Sequence, residues 1–298
     1  MIMGIRESAM RLCDMISLTS SVNWNDSFKT ALSILCGGRG HYRVVVTDDA
    51  YKVRGIISGR RALEVLLGRR GGSIRAKKGL KSLLKEPVSL FLDEAHQLFP
   101  ENTTPQTILQ YMAENALGYI IVVDQAGAFK GVVEEVAILS RLKGKVFNIK
   151  VEDVMSRNIC AVSPNITVLD ASNIMLDCRV RRLPVISPQG IIEGILTITD
   201  VLNHILKQEA YVKETLQDID VTSALSDKVE DVMCSNVITV KQSCDVGEAI
   251  DKVLDNNVSG LPVVSEDGRV LGVVSRIDIV EKLVKAKGAS AILEIMVK

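Results

Sequence analysis

Aromatic side chains are scarce in this chain, 4% of 298 residues with a single tryptophan. None lies between Tyr51 and Phe91, so that stretch offers no base-stacking platform for nucleic acid. No segment approaches the roughly 18 uninterrupted apolar residues of a membrane span. Met1 to Leu12 carries Arg6, Glu7 and Arg11 inside its apolar pattern; it lacks a signal-peptide layout and reads as an amphipathic lead-in helix. The six cysteines, Cys13, Cys36, Cys160, Cys178, Cys234 and Cys244, form no C-x-x-C pair and no zinc-like spacing. They read as small buried hydrophobes in a reducing compartment, with no metal site. His41, His96 and His204 are scattered, and no Gly-rich phosphate loop ends in Lys-Ser/Thr. Nothing here assembles catalytic machinery, and the expectation is a cytoplasmic binding protein, not an enzyme. Charge is balanced at 36 basic and 36 acidic residues, and 47% hydrophobic content suits a globular chain with core enough for two domains.

What the chain has is repetition. Val151-Glu152-Asp153-Val154-Met155 returns 78 residues later as Val229-Glu230-Asp231-Val232-Met233. Leu183-Pro184-Val185 returns as Leu261-Pro262-Val263, Gly194 as Gly272 and Asp200 as Asp278. A shift of 63 carries the same register back onto 88–137, where Gly194 falls on Gly131. A shift of 139 or 140 carries it onto 12–61, where Gly194 falls on Gly55 and Arg182 on Arg43. Four units therefore span 12–70, 86–143, 151–208 and 229–286, and such a period decides the fold before any local motif does.

Each unit has one pattern. In the third, a short apolar run (Ile159 to Val162) precedes a turn-rich stretch, and a helix starts near Thr167 with Ala171, Ile174, Met175 and Val180 on one face. Strands follow at Leu183–Ile186 and Ile191–Thr197 about a hairpin signal, and Asp200 opens a second amphipathic helix. The unit is β-α-β-β-α, an α/β fold.

One stretch is strongly basic. From Arg54 to Lys85 stand Arg54, Arg60, Arg61, Arg69, Arg70, Arg75, Lys77, Lys78, Lys81 and Lys85 against Glu64 alone. Gly68, Gly71, Gly72 and Gly79 mark much of it as connector, with 71–85 as a basic linker between units. The alternative is a patch for nucleic acid, a polyphosphate or an acidic partner.

The strand-to-helix junctions carry the chemistry. Thr197-Ile198-Thr199-Asp200 and Ser275-Arg276-Ile277-Asp278 each place an Asp at a helix start, where a carboxylate suits the cis-diol of a ribose. A hydroxyl three residues earlier, that of Thr197 or Ser275, can donate to a phosphate, and nearby helix-terminal amides favour anions. The plainer reading, an Asp that only caps its helix, stays open.

With Arg182-Leu183-Pro184-Val185 and Gly194-Ile195-Leu196-Thr197-Ile198-Thr199-Asp200, and their fourth-unit counterparts, the chain resembles the CBS (cystathionine β-synthase) domain family. The resemblance implies four CBS repeats paired into two Bateman modules stacked as a disc, a layout similar to that of γ subunits of the AMP-activated kinase. It also implies that each ribose Asp works with its partner repeat. One site then joins Ser275, Arg276, Ile277 and Asp278 with Met155, Cys160, Arg181 and Arg182. The other joins Thr197, Ile198, Thr199 and Asp200 with Met233, Ile238, Ser259 and Gly260. Arg181-Arg182 gives the first site charge-assisted bonds to phosphate that Ser259-Gly260 does not supply to the second.

The first two units depart from the pattern. Arg61 and Ala137 stand where the Asp should be, and Glu134 replaces the phosphate-side hydroxyl. Arg has no acceptor for a ribose hydroxyl, which leaves a cryptic anion site near His41, Tyr42 and Arg43 or plain scaffold. The implied function is a ligand-sensing regulatory protein that binds AMP, ADP or ATP between repeats 3 and 4, with no cofactor beyond that ligand. A regulated partner protein and a homodimer are compatible with it. The alternatives are an S-adenosylmethionine module and a nucleic-acid binder through 54–85.

Overall fold

The structure, a computed structural model, describes residues 10–19, 21–37, 42–70, 79–95, 97–212 and 218–297. The repeat appears as four small sheets, each built on an antiparallel hairpin: Arg43–Thr47 with Val53–Ser58, Tyr119–Val123 with Phe129–Glu134, Arg182–Ile186 with Ile192–Thr197, and Gly260–Val264 with Val270–Ser275. The register shifts by one residue at the same place in all four, between Val46 and Thr47, Val122 and Val123, Val185 and Ile186, and Val263 and Val264. A short parallel strand joins three of the hairpins; in repeat 3 the Ile159–Val162 run contributes only the bridge Val162–Val185.

The helices form where caps and periodicity agree. Thr167 accepts a hydrogen bond from the Asp170 amide and starts Val168–Asp177, whose buried face is Val168, Ala171, Ser172, Met175 and Leu176. Asp245 caps Val246–Asp255 in the same way, with Val246, Ala249, Ile250 and Val253 inside. The VEDV segments are single helical turns, Val151–Val154 and Val229–Val232.

Within each module the two repeats meet through their sheets. Ile195 exchanges both backbone hydrogen bonds with Cys234, and Val273 does so with Ser156, 78 residues on. The glycine one residue before each bridge explains itself here. A Cβ on Gly272 would meet the Ser156 carbonyl at 2.7 Å and Met155 Sδ at 2.8 Å, and one on Gly55 would meet the Asp93 carbonyl at 2.5 Å. The partner's backbone comes too close for a side chain.

Between modules the helices do the packing. Phe28–Cys36 and Gly59–Leu66 of repeat 1 lie on Val168–Asp177 and Ile198–Val212 of repeat 3 and share one core with them. Pro105–Glu114 and Glu135–Leu142 of repeat 2 share a second core with Val246–Asp255 and Arg276–Lys287 of repeat 4 and with the helix Ala289–Val297 that follows it. A smaller cluster, Val45, Ile56, Tyr119, Ile121 and Val132, holds repeat 1 to repeat 2.

Two expectations change. The supposed linker 71–85 ends in a helix, Leu80–Leu84, with Leu80, Leu83 and Leu84 buried and Asp218 accepting from the amides of Lys81 and Ser82. Residues 71–78 of that linker, Met1–Ala9 of the lead-in segment, His41 and His96 lie outside the described residues. In addition, Cys160 and Cys178 are joined by a disulfide, so these two are not the free, buried thiols that their spacing suggested. Among the described residues no helix is long and apolar enough to cross a membrane.

Candidate functional site

Asp200 and Asp278 sit three residues into identical constructions. Asp200 Oδ2 accepts from the Thr197 amide at 2.8 Å and from Thr197 Oγ1 at 2.6 Å, while the Asp200 amide donates back to Thr197 Oγ1. Asp278 Oδ2 accepts from the Ser275 amide at 2.8 Å and from Ser275 Oγ at 2.6 Å, with the same return bond. Both are capping boxes. The cap uses only Oδ2; Oδ1 of each Asp makes no hydrogen bond among the described residues. Capping and diol recognition are therefore compatible, on different oxygens. One sequence expectation is corrected: the Thr197 and Ser275 hydroxyl hydrogens already go to their own Asp. They are not free to donate to a phosphate while the box is closed. Among the described residues the Thr199 hydroxyl is unengaged, at the position where repeat 4 has Ile277.

The two junctions open onto one cavity of about 1170 Å³. Its wall includes Thr197, Ile198, Thr199 and Asp200 with Ile238, Ser259 and Gly260, and Ser275, Ile277 and Asp278 with Cys160, Arg181 and Arg182. The two assigned sets thus face a common space. Three of the assigned residues do not. Met155 and Met233 lie under Gly272 and Gly194 of the partner repeat and serve the module interface. Arg276 is 2% exposed and turns inward, its guanidinium 3.5 Å from the Val253 carbonyl and from Asn257 Oδ1, with no partner for Nε among the described residues.

Arg182 explains the broken letter pair of the repeat. Its guanidinium crosses to repeat 4, where Nη2 donates to Ser259 Oγ at 2.6 Å. A Cβ on Gly260 would stand 1.6 Å from Nη1. The arginine in one copy requires the glycine in the other, so Arg182 lies between the two sites and belongs to neither alone. Burial, then the neighbouring Arg181 cation, pulls its guanidinium down to about 10, while Tyr42 and the Asp278 carboxylate oppose that shift.

Repeat 1 completes the basic wall. Arg43 lies over the Tyr119 ring at 4.3 Å, and Arg181 over Tyr42 at 5.3 Å. Arg60 reaches the Arg179 carbonyl, and a Cβ on Gly59 would meet Ile198 Cγ2 at 3.0 Å. Burial and then Arg181 lower the guanidinium pKa of both Arg43 and Arg60. The buried carboxyl of Glu135 is pushed up by burial, against the pull of Arg181 and Arg43. Among the described residues none of Arg43, Arg60, Arg181 and Arg182 makes an ion pair. Partly desolvated cations without carboxylate partners are costly unless an anion meets them. Sequence reasoning aligned Arg43 with Arg182 but missed Arg60; its position, in register with Thr199 and Ile277, was the available signal.

The corresponding position in module 1 is filled from within. Arg61, in register with Asp278, pairs with Asp93, which is in register with Ser156, and also with Glu64 Oε2 at 3.4 Å. Ser58 Oγ accepts from the Arg61 amide at 3.0 Å and so serves as a cap. Among the described residues Asp200 has no such cation partner: burial pushes its carboxyl up, with the Thr197 hydrogen bonds opposing.

The CBS domain model matches residues 151–207 and 229–285. An uncharacterized 33.4 kDa protein in a ribosomal RNA operon of Thermofilum pendens is 25% identical over 261 residues, 86% of each chain. Protein MJ1225 of Methanocaldococcus jannaschii is 26% identical over 244 residues, covering 80% of this chain and 85% of that one. Its crystal structure, proposed as that of an archaeal homolog of g-AMPK, superposes with a TM-score of 0.79 at 21% identity and covers 92% of this chain and 100% of that one. The CBS domain pair of protein MJ0100, solved with 5-methylthioadenosine and S-adenosyl-L-methionine, is 28% identical with a TM-score of 0.38, covering 48% of this chain and 99% of that one.

Proposed function

Since this chain belongs to the CBS-domain family through residues 151–207 and 229–285, we propose that it is a regulatory sensor of adenine nucleotides. AMP, ADP or ATP binds in the cavity between repeats 3 and 4. The observation that carries the reading is the pairing, in one cavity, of two Asp residues each with Oδ1 unbonded among the described residues and a set of arginines with no carboxylate partner among them. The Asp oxygens suit ribose hydroxyls, and the guanidinium groups suit phosphate. The apolar wall between them, Ile159, Val180, Ile238 and Pro262 among others, suits a flat base.

S-Adenosylmethionine shares the ribose but has no phosphate, and its sulfonium cation would enter a wall that is already positive. The arginines therefore favour the nucleotides. The nucleic-acid alternative loses support, because Arg54 pairs with Asp48, Arg61 with Asp93, Arg69 with Asp177 and Arg70 with Glu64. Occupancy is transmitted through repeat 1: its Arg60 and Gly59 line the same cavity, so a bound anion favours the arrangement in which Arg60 and Arg181 face it together. A ligand shifts that equilibrium only by its preference for one arrangement. Calorimetric titration of the chain with AMP, ADP, ATP and S-adenosylmethionine tests the reading. Saturable heat with the three phosphates, weakened by salt, is expected; no heat with any of the four sinks it.

A further inference from the structure

The disulfide between Cys160 and Cys178 spans 18 residues of chain, with Cα atoms 6.6 Å apart, and both ends lead to the basic wall. Cys160 stands on the cavity wall with Ile159, Arg181 and Arg182. Cys178 is exposed and caps the C-terminus of Val168–Asp177. Arg179 follows in left-handed backbone, φ 55, and the chain turns directly into Arg181 and Arg182. Repeat 1 grips the same turn. Arg60 donates to the Arg179 carbonyl, and Arg69 donates to Asp177 Oδ1 at 2.5 Å and to Asn173 Oδ1 at 2.8 Å. The bridge is thus one of three fastenings on the segment that aims the guanidinium groups, beside its own backbone hydrogen bonds and the grip of repeat 1. Cys13, Cys36, Cys234 and Cys244 are free thiols and take no part.

We infer that this disulfide is a redox control on phosphate recognition. It rests on the adenosine-ligand reading above and adds a condition to it. Oxidised, the bridge ties the arginine turn to the cavity wall, and the guanidinium groups meet a phosphate already in place. Reduced, the turn is held by its backbone bonds and by repeat 1 alone, and ordering the arginines opposes binding. Cys178 is the exposed residue of the pair and Cys160 the half-buried one, so the attack is assigned to Cys178. A thiolate of a dithiol attacks Cys178 Sγ, and the electron pair of the S–S bond leaves on Cys160 Sγ, which takes a proton. The second sulfur of the dithiol then attacks the mixed disulfide, Cys178 leaves and is protonated, and the dithiol departs as its cyclic disulfide. Two electrons and two protons have passed to the protein.

The test uses the full chain, oxidised or reduced by a dithiol, with free thiols counted in denaturant and AMP and adenosine titrated by calorimetry. Four thiols are expected in the oxidised form and six in the reduced. AMP should bind about tenfold more weakly after reduction, as for loss of one charge-assisted contact, with adenosine unchanged within about twofold. Cys178→Ser should bind AMP like the reduced form under both conditions. Six thiols under oxidising conditions, equal AMP affinity in the two forms, or an equal fall for adenosine would each overturn the inference. Heat that ignores the thiol count removes the redox control alone, whereas no heat from either ligand in either form removes the adenosine site with it.

Discussion

Gly260→Ala is the smallest change that reaches the arginine between the two sites. The added methyl would sit 1.6 Å from Arg182 Nη1 and 2.7 Å from both Arg182 Cζ and the Val274 carbonyl oxygen. The guanidinium can swing aside, but the carbonyl belongs to the paired strand Val270–Ser275 and cannot. Overpacking of this kind costs about 1–3 kcal/mol. Swinging Arg182 away also breaks its 2.6 Å bond to Ser259, where a hydrogen bond to a charged group is worth about 1.5–3 kcal/mol. The two effects share one displacement and do not simply add, so a loss of about 2–4 kcal/mol is expected. Urea unfolding measures it. Phosphate recognition should suffer with it: AMP affinity falls roughly tenfold or more, while adenosine affinity holds. A double-mutant cycle with Arg182→Ala isolates the cause, since without the guanidinium most of the clash disappears. Stability within about 0.5 kcal/mol of the parent, together with unchanged AMP binding, would refute the arrangement of Arg182 against Gly260.

Three further outcomes follow from the same geometry. Asp200 carries a carboxyl pushed up by burial, so its folded state favours the proton. Its own contribution to stability is therefore present in acid and lost as pH rises through the raised value, whereas a ribose needs the ionised form. In an Asp278→Ala background, adenosine affinity should fall as pH drops through that raised value, before an ordinary Asp would protonate, and a flat profile from pH 7 down to the ordinary Asp value of 3.8 would contradict it. Gly272→Ala should destabilise by about 1–3 kcal/mol, and Gly194→Ala by less. The first meets the Ser156 backbone carbonyl and the second only the flexible Met233 thioether; equal urea midpoints, or the reverse order, would count against that reading of the module interface. Asp93→Ala should leave Arg61 buried beside Glu64 alone, at a cost of about 3 kcal/mol as for breaking a buried pair, and a neutral result would show that this pair does not close the module 1 position.

Much of this was legible because the chain repeats. The 78-residue echo placed Gly194 with Gly272 and Asp200 with Asp278, and the structure gives each pair one environment, the bridges Ile195–Cys234 and Ser156–Val273 and the two capping boxes. Helix periodicity placed Ala171 and Met175 on the buried face of Val168–Asp177, but Ile174 is half-buried and Val180 lies past the helix end; Val168, Ser172 and Leu176 complete that face. It does not name what that face meets, and the packing of repeat 1 on repeat 3 was not readable from it. Side-chain direction was also beyond spacing: Arg276 shares a junction with Ser275 and Asp278, yet points into the protein. Glycines around Leu80, Leu83 and Leu84 disguised a buried turn of helix as linker. The Cys160–Cys178 bridge follows no short motif and arises from the fold bringing a strand lead beside a helix end.

The most direct test of the central claim is the stoichiometry of AMP binding, by calorimetry, to the chain and to Asp200→Ala, Asp278→Ala and the double variant. Two sites are expected in the parent, one remaining in each single variant and none in the double. Unchanged stoichiometry in the double variant, with the fold intact by circular dichroism, would show that the two Asp residues only cap their helices.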